Sequence, residues 1–79
     1  MDRRRLGQNI TKYRTLLGLT QEALAEQAAV DRRFIQKIEA GEFGTSLAVL
    51  KRLRKALKTS WDDLLQGMAR HPFTSRKMN

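Results

Sequence analysis

Four polar side chains within one short stretch could do chemistry on a nucleic-acid base: Arg32, Arg33, Gln36 and Lys37. Arginine or lysine can bond the O6 and N7 of guanine, and glutamine can bond the N6 and N7 of adenine. At about 100° per residue in a helix, these side chains fall on one side, with Phe34, Ile35 and Ile38 on the other. That division supplies an apolar face for a core and a cationic face for a groove. A basic helix that merely meets solvent would look the same, so the meaning depends on what positions it.

The surrounding elements supply that context. Asp31 is a strong N-cap for the helix, which is expected to run to about Glu39 and to close at Gly41. Ahead of it, Thr20 caps a short helix with Leu24, Ala25 and Ala28 inward, interrupted at Ala29 and Val30. Two short helices joined by so tight a turn cross steeply instead of packing antiparallel, and the second can then project into a groove. With this turn in place, the reading face is favoured over the solvated one.

The rest of the chain is helical in period, and no stretch alternates like a strand. Leu6, Ile10, Tyr13 and Leu17 form the stripe of a first helix that ends at Gly18. After a loop from Glu42 to Thr45, Ser46 caps a fourth helix reaching about Lys58, with Leu47, Leu50, Leu53 and Leu57 apolar. Ser60, Trp61, Asp62 and Asp63 read as a capping box for a short fifth helix carrying Trp61, Leu64, Leu65 and Met68. The expected architecture is all-α, five short helices in one domain over residues 1–67, followed by a basic, flexible tail over 68–79.

Composition bounds the function. The chain of 79 residues carries 16 Lys and Arg against 8 Asp and Glu, a net charge of +8 that favours an anionic partner, nucleic acid first. It has no cysteine, which removes disulfides, thiolate chemistry and cysteine-based zinc fingers and fits a reducing cytosol. The longest apolar run, Leu47 to Leu50, is too short to span a membrane, and no hydrophobic stretch follows the basic Met1–Arg5. A cytoplasmic, nucleoid-associated location is expected. His71 is the single histidine, so no metal site is expected, and Asp62 and Asp63 are better explained as a helix first turn than as paired catalytic acids. No nucleophile arrangement is present, and so short a chain leaves little room for a substrate pocket beside its core. Neither an enzyme nor a cofactor is expected.

The segments Leu19 to Ala25, Val30 to Arg32, Ile35 and Ile38 to Gly41 resemble the Cro/C1-type helix-turn-helix, or XRE, family, which includes the lambda repressor DNA-binding domain. Ser46-Leu47 through Ala56-Leu57 and Asp62 to Leu65 continue the resemblance, which spans roughly Leu6 to Leu65. It implies that the helix beginning at Asp31 reads the major groove through Arg32, Arg33 and Lys37, with Gln36 beside them. It implies contacts to the DNA backbone from Thr20 and Gln21, and from Phe43, Gly44, Thr45 and Ser46 through main-chain N–H groups and hydroxyls. It also implies a structural salt bridge between Arg14 and Glu39. Ala29 and Lys58 stand where the family favours glycine. Arg54 stands where it favours alanine, and is expected either to snorkel or to pair with Glu22 or Glu26.

The implied function is a prokaryotic or phage transcriptional regulator, most often a repressor. It would bind a two-fold operator with guanine-containing half-sites as a homodimer, with Trp61, Leu65, Met68 and Phe73 as candidates for the dimer contact. The competing reading is an antitoxin or adaptor that binds a partner protein through its C-terminal tail while also binding DNA. Non-specific coating of DNA or RNA is a third.

Overall fold

Each helix start is written into the sequence as a short polar residue. In the computed structural model, which describes residues 2–68, Asp2, Thr20, Asp31, Ser46 and Ser60 cap α1 (Arg3–Leu16), α2 (Gln21–Ala28), α3 (Arg32–Glu39), α4 (Leu47–Ala56) and α5 (Trp61–Leu64). Every one of those side chains accepts a hydrogen bond from a first-turn amide, Thr20 from Ala23 at 3.0 Å and Asp31 from Arg33 at 2.7 Å, for example. Such caps contribute about 1 kcal/mol each. No strand occurs among the described residues, and none of their helices is long and apolar enough to cross a membrane. The all-α, five-helix reading therefore holds.

The helix ends share one solution. After each of α1 to α4 a residue turns left-handed, Gly18, Ala29, Gly41 and Lys58, with φ between 53° and 78°. The amide after each donates five residues back: Leu19 to Arg14, Val30 to Ala25, Glu42 to Lys37 and Thr59 to Arg54. This is the Schellman motif, which satisfies carbonyls that the helix end would leave bare. At Ala29 and Lys58 a side chain occupies a conformation that glycine adopts without strain. The left-handed Lys58 also ends α4 at Ala56, two residues ahead of the expected limit.

The core is one cluster drawn from every helix: Leu6 and Ile10, Leu24 and Ala28, Ile35 and Ile38, Leu50 and Leu53, then Leu57, Leu64 and Leu65. Two expectations are corrected here, and one open alternative is decided. Leu17 and Leu47 leave the stripes assigned to them, at 42% and 49% exposure, because each lies at the very end of its helix. Leu65 is sealed in the core at 1% exposure and offers nothing to a second chain. Arg54 makes no ion pair with Glu22 or Glu26; its guanidinium lies 5.2 Å from the Trp61 ring centre and donates to the Thr59 carbonyl at 3.2 Å, tying α4 to α5.

Two residues that the periodicity passed over fix α1 against its neighbours. Gly7 faces the last turn of α3, where a methyl group would collide with the Ile38 carbonyl oxygen and lie 2.7 Å from that of Glu39. Asn9, 7% exposed, donates from Nδ2 to the carbonyls of Leu64 and Gln66 at 2.8 and 2.9 Å, satisfying the end of α5. Both were legible in principle. A glycine inside a helix signals close approach, and an asparagine three residues after Leu6 falls on the buried arc.

Candidate nucleic-acid interface

The turn between α2 and α3 is set by its own backbone. Ala29 reverses the chain, and Asp31 begins a new helix two residues later. Arg52 of α4 reinforces the corner, donating from Nε to the Ala28 carbonyl at 2.8 Å. Nothing in the spacing of α4 signals this bond.

On α3 the apolar side is anchored by Ile35 and Ile38, with Phe34 half-buried against the core. Arg32, Arg33, Gln36 and Lys37 are all exposed on the other side. The side chains of Arg32, Arg33 and Gln36 make no hydrogen bond to any described residue, so their donors and acceptors face solvent. Lys37 differs. Its ammonium lies 3.3 Å from Glu42 Oε1 and 5.8 Å from the centre of the Phe43 ring.

The angle of this helix is held by one carboxylate. Glu39, 6% exposed, receives Arg14 Nε at 2.7 Å and Arg14 Nη2 at 3.1 Å, a two-pronged pair. The remaining Arg14 nitrogen, Nη1, donates to the Leu19 carbonyl at 2.8 Å. Gln21, in the first turn of α2, donates Nε2 to Glu39 Oε1 at 2.9 Å. Thus α1, the loop after it, α2 and α3 all meet at Glu39. The family resemblance supplied the Arg14–Glu39 pair; the Gln21 arm is new. A carboxamide nitrogen has two N–H groups, so Gln21 retains one for an outside acceptor.

The loop after α3 brings together part of the remaining set. The amides of Glu42 and Phe43 are folded back on the Lys37 carbonyl at 2.9 and 3.3 Å, while those of Gly44, Thr45 and Ser46 donate to no described residue. Phe43 therefore offers a half-exposed ring more than an N–H. Thr45 Oγ1 is covered and without a partner, so the hydroxyl contact expected of it requires the loop to shift. Ser46 Oγ accepts from Val49 N at 3.2 Å as the cap of α4, and Thr20 is likewise occupied as the cap of α2. Among the described residues no cluster of His, Cys, Asp and Glu could hold a metal ion.

A cationic helix fixed at an angle, with bare amides at one end, matches what comparisons with known proteins find. Residues 10–64 match the family model HTH_3, described as helix-turn-helix. The control protein C.SmaI of Serratia marcescens is 40% identical over 65 residues, covering 80% of this chain and 77% of that one. The crystal structure of the restriction-modification controller protein C.AhdI from Aeromonas hydrophila superposes with a TM-score of 0.76 at 33% identity, covering 80% of this chain and 96% of that one. The clp gene regulator ClgR from Corynebacterium glutamicum gives 0.78 at 29% identity, over 82% of this chain and 69% of that one.

Proposed function

From the premise that the chain belongs to the Cro/C1-type helix-turn-helix family of DNA-binding transcriptional regulators, which are not enzymes, we propose that it binds a two-fold operator as a homodimer and acts there as a repressor. Helix α3 enters the major groove, with Arg32, Arg33, Gln36 and Lys37 at base edges. The phosphate backbone is met by Gln21 and Thr20 at the start of α2, and by the segment Phe43, Gly44, Thr45 and Ser46. Residues 1–67 form the DNA-binding unit, and the protein works in the cytoplasm, at the nucleoid.

The observation that carries this reading is the Glu39 junction beneath a helix on which the side chains of Arg32, Arg33 and Gln36 are uncommitted. Free donors at a fixed angle are what a reading helix requires, which supports this role for α3. Dimerisation is argued from size. One helix of eight residues reads only a few base pairs, and a two-fold protein doubles that length. With Leu65 buried, Trp61 and Met68 are the half-buried apolar side chains left for the contact; Phe73 lies outside the described residues. One similar protein is a restriction-modification controller protein and another bears the name control protein, which supports a regulatory role. The partner-binding reading depends on the tail, which lies outside the described residues beyond Met68.

The test is selection from random duplexes at physiological salt, followed by titration of the enriched site. A two-fold site with guanine in each half, bound by two chains, is expected. Arg33→Ala is expected to relax preference at one base pair per half-site, at a cost of about 1–3 kcal/mol. Failure to enrich any site would overturn the specific-regulator reading.

A further inference from the structure

We propose that Glu42, acting with Phe43, is a specificity-determining positioning residue that holds the Lys37 ammonium in place on the reading face. Lys37 then selects a base by geometry, not by charge alone. The inference rests on α3 being the groove-binding helix.

The arrangement begins in the backbone. Gly41 turns left-handed at φ 78°, and a Cβ there would lie 3.1 Å from the Arg4 Cα, a tight contact that favours glycine where the loop meets α1. That turn folds the next two amides onto the Lys37 carbonyl. Glu42 and Phe43 are therefore beside Lys37 whatever their side chains do. Arg3 pins the loop from the far side, donating Nη1 to the Glu42 carbonyl at 3.3 Å.

The side chains then close around the ammonium. Glu42 Oε1 lies 3.3 Å from Lys37 Nζ, and the Phe43 ring lies within cation–π range at 5.8 Å. Phe43 is itself braced by Phe34, with ring centres 6.1 Å apart, and Phe34 packs against the core. A chain of contacts thus runs from the core to the tip of Lys37. Arg32, Arg33 and Gln36 have no equivalent among the described residues.

An exposed ion pair adds little to the stability of a fold, so the consequence of this one lies elsewhere. Free lysine loses much rotamer entropy when it is ordered against a base. Here the ordering is done before DNA arrives. One ammonium N–H is directed to Glu42, and two remain for acceptors such as guanine O6 and N7. The carboxylate also opposes phosphate, which weakens every complex alike and stops Lys37 from settling on the nearest backbone oxygen. Repulsion of that kind trades affinity for discrimination.

The experiment uses the full chain on its selected operator and on every single-base variant of one half-site, at several salt concentrations. Lys37→Met first identifies the base pair that Lys37 reads. Glu42→Gln is expected to bind all sequences more tightly, with the slope of log K against log salt steeper by about 0.9 per site. Discrimination at the Lys37 base pair is expected to fall about 5- to 10-fold. Phe43→Leu, which keeps the apolar contact but removes the ring face, is expected to lose discrimination at the same base pair without moving the salt slope. A Glu42→Gln protein that binds more tightly but discriminates as before would make Glu42 a plain repulsive charge and overturn the inference. So would loss of discrimination at other base pairs instead. If the unmodified chain selects no site at all, the reading of α3 falls first and takes this inference with it.

Discussion

Glu39 is the residue on which the orientation of α3 depends, and its partners are unequal. Arg14→Met would leave its carboxylate buried with only the Gln21 amide, an uncompensated charge expected to cost about 3 kcal/mol. Glu39→Gln retains an acceptor for Arg14, which is exposed enough at 17% to recover water, and is expected to cost about 1–2 kcal/mol. Urea denaturation of both variants measures the difference, and equal midpoints would contradict the asymmetry. The sequence revealed this site only in part. The resemblance supplied Arg14 and Glu39, but nothing in spacing alone joins residues 25 apart. The resemblance implied a phosphate contact for Gln21, while its bond to Glu39 was not legible because a first-turn glutamine has no local signature of an inward role. The carbonyl contacts of Arg52 and Arg54 were not legible for a related reason: an arginine among basic neighbours gives no sign in sequence of which carbonyl it will reach. The exposed polar face of α3 was legible because amphipathic periodicity separates it from the core.

At the level of the helix, beginnings were easier to read than ends. A Thr, Asp or Ser before a helix-forming run names its own hydrogen bond, and Thr20, Asp31, Ser46 and Ser60 all make it. The first helix started ahead of its apolar stripe, at Arg3, because Asp2 caps it. Ends depend on one left-handed residue, which glycine announces at Gly18 and Gly41 and which Ala29 and Lys58 conceal. Family resemblance alone marked those two positions. The strain they carry is testable. Ala29→Gly is expected to stabilise the protein by about 1 kcal/mol, raising Tm by about 4–8 °C in a calorimetric scan. No gain would mean that the turn is relaxed by contacts beyond its own dihedrals.

Over the whole molecule, the net charge of +8 is not uniformly available. Arg14 and Arg54 are half-buried and committed to internal contacts, and Arg52 is bonded to the α2 carboxyl end. Among the described residues, the cations free to meet phosphate are concentrated on α3, the start of α1 and the outer side of α4. Electrostatics should nevertheless dominate affinity. Raising salt from about 50 to 200 mM is expected to weaken operator binding by about 1,000-fold or more, measured by fluorescence anisotropy. A loss under tenfold would place most of the affinity in uncharged contacts. The Glu39 junction has a further consequence for how such a protein changes over time. It fixes the angle of α3 entirely from the inward side, while Arg32, Arg33 and Gln36 hold nothing in the described chain together. Those three positions can be exchanged at little cost to folding, so under the proposed function a new operator is within reach by drift at the surface, without passing through an unfolded ancestor.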